Sequence, residues 1–248
     1  MHRLALVLPA VLALSACDGG RTSGTGPVGP SLYITSPRMD QVIEGHEVSV
    51  MFDLRHYPIG KVDEGGNGQH VHLIVDNEPY VAIYDVSRPV PLDPKLLTPG
   101  THVVRAFPSA GPKDEKGALH HESRKNPGAF AWVRFHVGAK GGPLADFDAG
   151  RPTLTFSRPK GEYKAGSPEL AKFLVDFYVT GTTLSPITSG VRAALDGKPL
   201  GTWTKWKPWV IESPAAGAHE LELELVDADG KPVDGPFNKT TRKFKVGS

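Results

Sequence analysis

The chain of 248 residues carries 28 basic and 27 acidic side chains, a formal net charge of +1, which leaves no electrostatic footprint for nucleic acid. Its single cysteine excludes an internal disulfide, and its length is enough for two domains of ordinary size.

Met1-His2-Arg3 opens the chain, and Leu4 to Leu14 is apolar apart from Pro9, ending in Leu14-Ser15-Ala16-Cys17. A positive start, an apolar core and a small-residue cleavage site read as an export signal over residues 1–16. The apolar run is well short of the roughly 18 residues of a spanning helix. The last four residues resemble the bacterial lipobox, which implies that Cys17 is acylated and becomes the mature N-terminus. An ordinary secretory signal that happens to hold a cysteine is the alternative. Position, flanks and the downstream composition favour the lipobox. Acyl chains bury about 0.8 kcal/mol per methylene, so the expectation is an exported body lipid-anchored to a bacterial membrane, in the periplasm or at the cell surface. Residues 17–30 are the lipidated cysteine and a Gly, Ser, Thr and Pro tether.

Two similar halves follow, residues 31–138 and 152–248, joined by a glycine-rich linker over 139–151. Val71 to Asp76 (VHLIVD) leads into Asn77-Glu78-Pro79-Tyr80, and Val191 to Asp196 (VRAALD) leads into Gly197-Lys198-Pro199-Leu200. Pro99-Gly100-Thr101-His102 launches VVRAF, and Ala216-Gly217-Ala218-His219 launches ELELELV. Each half closes on a strand, AWVRFHV from Ala131 and TRKFKV from Thr241. Short runs of period two, frequent turn signals and many prolines predict an all-β chain of two tandem antiparallel β-sandwiches, immunoglobulin-like or fibronectin-like. Pro168 to Val175 is the one segment with helical character, and alignment with the first half makes it mainly strand.

With Val71, Leu73 and Val75 inward, alternation turns His70 and His72 outward together. His102 and His219 start buried faces after glycine turns and read as structural, bonded to nearby backbone. His136 matches Lys245 and reads as a surface position.

The first half alone has His70-x-His72, the run His120-His121-Glu122, and the long segment between Phe107 and Phe130 that carries it. Two imidazoles two apart on a strand project from one face, and a folded-over loop could add His120, His121 and Glu122, a set that suits zinc or copper(II). Among ten histidines such a spacing also arises by chance, and a surface or loop-anchoring role is the favoured account of it. There is no Gly-x-Ser-x-Gly elbow and no HExxH, and His121-Glu122-Ser123 adjacency does not make a triad. The prediction is therefore a protein that is not an enzyme.

The motifs QHVHLIVDNEPY, PGTH, HES and GAF of the first half resemble a family of uncharacterised bacterial envelope proteins, some labelled phosphopeptide-binding. The resemblance covers about residues 42–137 and implies a sandwich, an envelope location and clustering of the HxH strand with the HES loop. Arg105, Arg124 and Lys125 are too few to argue a phosphate clamp. The second half departs from the pattern at its polar positions except His219. Its densest aromatic stretch, Trp203, Trp206 and Trp209 in TWTKWKPW, puts Trp203 and Trp209 on one face and Trp206 on the other, a candidate contact for an envelope protein or glycan. Tryptophans covering the end of the sandwich are the alternative. The function that follows is a non-enzymatic binding or scaffolding module of the envelope, with zinc or copper(II) binding in the first domain as the alternative.

Overall fold

The computed structural model describes residues 29–60, 68–109 and 127–247. The signal over 1–16, Cys17, and His120, His121 and Glu122 lie outside them. Among the described residues no helix is long and apolar enough to cross a membrane.

The first eight strands are β1 (Ser31–Ser36), β2 (Gln41–Ile43), β3 (Ser49–Arg55), β4 (His70–Val75), β5 (Val81–Ile83), β6 (Val90–Pro91), β7 (Gly100–Ser109) and β8 (Ala131–Val137). They form a five-stranded sheet in the order β2-β8-β7-β4-β5 and a three-stranded sheet in the order β1-β3-β6. The next eight are β9 (Thr153–Arg158), β10 (Gly161–Tyr163), β11 (Phe173–Thr180), β12 (Ser189–Leu195), β13 (Lys198–Trp203), β14 (Trp209–Ile211), β15 (Gly217–Asp227) and β16 (Lys239–Val246). Their sheets run β10-β16-β15-β12-β13 and β14-β11-β9. Strand for strand the two topologies are the same, down to a short edge strand that pairs parallel, β2 on β8 and β10 on β16. The tandem immunoglobulin-like or fibronectin-like sandwich is thus the fold, and it is duplicated.

Alternation sorts each strand. Val71, Leu73 and Val75 face Val104, Phe135 and Leu32 in one core, and Val191, Ala193, Leu221 and Leu223 face Phe156 and Phe177 in the other. Each such buried side chain contributes about 1.5–3 kcal/mol. The turn after β4 and the turn after β12 place Asp76 and Asp196 in the left-handed region, both at φ 49°. There each carboxylate caps the neighbouring strand. Asp76 accepts from the Val103 amide at 2.8 Å and from His102 Nδ1 at 2.7 Å. Asp196 accepts from the Glu220 amide at 2.9 Å and from His219 Nδ1 at 2.7 Å. His102 and His219 are therefore structural, as the glycine turns before them imply, and their Nε2 atoms donate to the carbonyls of Thr98 and Ala215.

Two expectations change, on the helical segment and on His136. Pro168–Ala171 is a helical turn, α1, capped by Ser167, and the strand begins only at Phe173. Its proline sits at the helix start, where a missing amide is harmless. The glycine-rich segment between the halves is packed, with Leu144, Phe147 and Ala149 buried against Val103 and Phe237. His136 is buried, bonded to Thr101 Oγ1 at 2.9 Å and facing Asp40 at 3.3 Å. The cause is the same for the last two, because the outer face of the first five-stranded sheet is covered.

Candidate functional site

The cover is the second sandwich over β4 and β7, and the segment between the halves over β8. Along β4, β7 and β8 nearly every residue is buried on both faces, and the outer face meets Thr155 and Ser157 of β9 and Tyr178 of β11. His70 and His72 do leave the core of their own sandwich together, but into this junction, where they are 4% and 0% exposed.

Their hydrogen bonds make a relay. His70 Nδ1 lies 2.7 Å from the Gly68 carbonyl, so it donates. His70 Nε2 lies 3.0 Å from His72 Nε2, and His72 Nδ1 lies 3.1 Å from Ser157 Oγ. As neutral rings the pair has one consistent arrangement: His72 Nε2–H donates to His70 Nε2, and the Ser157 hydroxyl donates to His72 Nδ1. The His72 ring stacks on Tyr80 at 3.5 Å between centroids and 10° between planes. Lys160 Nζ lies 3.6 Å from the same Tyr80 ring, necessarily on its other face, and donates to the Tyr80 carbonyl at 2.7 Å. Burial, with Arg158 nearby, pushes the Lys160 pKa down to about 8.

Arg105 is the central tie. It is fully buried, its guanidinium stands 3.7 Å over the Phe237 ring, and it donates to the Leu154 carbonyl at 3.2 Å, to Thr155 Oγ1 at 2.8 Å and to the Asp76 carbonyl. Strand β9 of the second sandwich and one turn of the first are thereby joined through one side chain. Burial, reinforced by Arg242, lowers the Arg105 pKa to about 9. The turn after β4 adds Asn77 Nδ2 donating to Thr240 Oγ1 and Arg242 donating to the Glu78 carbonyl, both at 3.0 Å. A phosphate clamp through Arg105 has no room here. Sequence reading missed this role, although the signal was present: VVRAF and VHLIV are apolar on both faces, as strands covered on both sides are.

The tryptophans divide as alternation implies. Trp203 and Trp209 stack at 5.0 Å and 8°. Trp203 is core, packed on Phe177, which removes it from any contact surface. Lys207 Nζ stands 4.7 Å over the half-buried Trp209 ring. Trp206, on the other face, meets Tyr178 edge-on at 4.8 Å and walls a recess of about 470 Å³ with Val179, Thr180, Gly181, Thr182, Thr183 and Leu184. A wider groove of about 740 Å³ opens between the edge strands β5 and β6 of the first sandwich, lined by Tyr84, Asp85 and Arg88 among others. Among the described residues no three histidine, cysteine or acidic side chains converge to hold a metal ion.

These features define a chain of two all-β, immunoglobulin-like or fibronectin-like modules fused face to face. No family model and no curated protein sequence matches it. It is similar in fold to the fibronectin(III)-like modules of Clostridium thermocellum CbhA, at 12% identity over 87% of this chain and 94% of that one, TM-score 0.30. It is similar also to SGBP-B of the Bacteroides ovatus mixed-linkage glucan utilization locus, solved with a mixed-linkage heptasaccharide, at 14% identity over 88% of this chain and 48% of that one, TM-score 0.23. A third is chicken VE-cadherin EC1-2, at 9% identity over 87% and 98%, TM-score 0.23.

Proposed function

We propose that the chain is a membrane-anchored extracytoplasmic lipoprotein acting as a non-enzymatic binding or scaffolding module of the cell envelope. The observation that carries this reading is the use of the polar face of the first sandwich. His72, Tyr80 and Arg105, among the side chains most suggestive of chemistry, tie the two sandwiches together, and His70 stands behind His72. Among the described residues two recesses lie at the surface, one beside Trp206 in the second module and the β5/β6 groove in the first. Lipidation at Cys17 would set this unit beside a membrane, with residues 18–30 as its tether. A photocrosslinker at Lys205, beside Trp206 and exposed, tests the reading in cells. A captured envelope component that disappears with Trp206→Ala supports it, and capture that is absent or unaffected by the substitution removes the tryptophan surface from the function.

One observation favours zinc or copper(II) as a second reading. The two Nε2 atoms stand 3.0 Å apart, near the roughly 3.3 Å that two nitrogens adopt on a tetrahedral ion at 2.0–2.1 Å each. Each Nδ1 already faces an oxygen, the support that metal-bound imidazoles usually have. Binding requires His72 to shift its proton to Nδ1, donating to Ser157. The full chain in mild detergent should then take up one zinc or copper(II) ion by calorimetry and lose it on His70→Ala, His72→Ala. Equal uptake by that double variant would end the metal reading.

A further inference from the structure

We propose that the outer face of the β1-β3-β6 sheet rests on the lipid bilayer, an inference that goes beyond the binding-module reading and takes from it the anchor at Cys17. Two of the outer sheet faces are spent on the contact between the halves: that of the first five-stranded sheet is covered, and that of β14-β11-β9 meets it through Thr155, Ser157 and Tyr178. The outer face of the second five-stranded sheet carries ion pairs, Arg192 with Glu224, Lys239 with Glu222 and Lys243 with Glu220, a surface that suits water. The face of β1-β3-β6 is neither covered in this way nor built of charge.

Alternation fixes which side chains stand on it. Leu32, Val50, Phe52 and Leu54 point into the core, so Tyr33, Thr35, Met51, Asp53 and Arg55 point out. Tyr33 and Met51 are 55% and 45% exposed. Thr35 Oγ1 donates to the Met51 carbonyl at 3.3 Å, and the Arg55 guanidinium lies 5.9 Å from the Tyr33 ring centroid while its Nε donates to Asp53 at 3.0 Å. An aromatic ring with a polar tip, beside a flexible thioether and one ion pair whose charges cancel, is a composition that settles at the headgroup level of a bilayer.

The place of the anchor argues for lipid as the occupant. β1 begins at Ser31, and the covalent chain from Cys17 to Ser31 can reach at most about 50 Å. Acylation at Cys17 would therefore hold Tyr33, near the start of that strand, within this distance of the bilayer along any path. A surface tethered so closely meets the membrane at a high effective concentration, so a small apolar contact suffices where it would not bring down a free protein. The apolar face thus belongs to the sandwich nearer the anchor in the chain, and the charged face to the other.

The experiment uses the mature lipidated chain carrying Thr35→Cys, labelled there with an environment-sensitive fluorophore and reconstituted into vesicles of phosphatidylethanolamine and phosphatidylglycerol. Acylation uses up Cys17, the single cysteine of the chain, so the label goes to position 35 alone. A blue shift and quenching by spin-labelled lipid are expected. Tyr33→Asp combined with Met51→Asp should abolish both, while the protein still floats with the vesicles and keeps its near-UV circular dichroism. The same label on Glu222→Cys, on the charged face, should show neither. Emission at position 35 like that of the label in water, or quenching that the double substitution leaves unchanged, overturns the proposal and leaves the anchor standing. A blue shift without quenching means that a second copy of the chain covers the face, and overturns it as well. Failure to float with the vesicles sinks the anchored reading, and this proposal with it.

Discussion

Replacing Arg105 by methionine is the sharpest test of the fused arrangement. The substitution keeps an unbranched side chain of similar reach and removes the donors to the Leu154 carbonyl, the Thr155 hydroxyl and the Asp76 carbonyl. Each buried acceptor left without a donor costs about 1–3 kcal/mol. Part of this is offset, because a guanidinium no longer has to be held away from water. The expected net loss is about 3 kcal/mol, which at about 2–4 °C per kcal/mol for a body of this size lowers Tm by roughly 6–12 °C. Urea unfolding followed by near-UV circular dichroism, with hydrogen exchange of the Leu154 and Thr155 amides, would measure it. The control is Glu222→Met, the matching position of the second half, where the carboxylate pairs with Lys239 at 3.2 Å near the surface. That control should stay within about 0.5 kcal/mol. If Arg105→Met also stays within that range, the side chain is not a tie and the argument for a rigid unit is wrong.

The duplicated histidine turns give a pH dependence. Both ring nitrogens of His102 and of His219 face acceptors, a carboxylate and a carbonyl, so each ring is held as the imidazolium, and the bonds to Asp76 and Asp196 raise the two pKa values above the ordinary one. A raised folded value stabilises the fold fully below about pH 6.5, the unfolded value, and that contribution fades as pH rises through the folded values. Proton NMR of the ring Cε1–H signals should place both midpoints above 6.5, and His102→Gln with His219→Gln should flatten the stability profile; midpoints below 6.5 would contradict the bonding scheme. Glycine positions offer a second check on the backbone. A Cβ at Gly181 would sit 2.2 Å from the Arg151 carbonyl, whereas at Gly138, also at positive φ, it would meet nothing within 4 Å. Gly181→Ala should therefore cost about 3 kcal/mol or more and Gly138→Ala about 1 kcal/mol in denaturant titrations, and equal losses would show that the close approach is not there.

Much of the fold is legible in the sequence because period-two alternation and glycine turns are local signals. The register of the two halves could be read from VHLIVD against VRAALD, and the matching sheets agree with it. What sequence could not settle is which outer face meets water. His72, Arg105, Phe107, Arg134 and His136 stand where the second half has Arg192, Glu222, Glu224, Lys243 and Lys245, and the solvated copy is a poor guide to the covered one. His136 fails as a surface residue for that reason. Trp203 is lost to the core because a tryptophan at a strand end can cap either side.

The junction between the halves has a handedness of role. One copy offers the outside of its five-stranded sheet, the other the outside of its three-stranded sheet. Contacts of that unlike kind need not close, and repeated between molecules they would build a filament. The second copy's own five-stranded face is of another kind: Arg192 pairs with Glu224 at 2.5 Å, Lys239 with Glu222 at 3.2 Å, and Lys243 with Glu220 at 3.2 Å. A charged ladder in the place of His72, Arg105 and Phe107 is a terminus in the sense that repeat arrays need one.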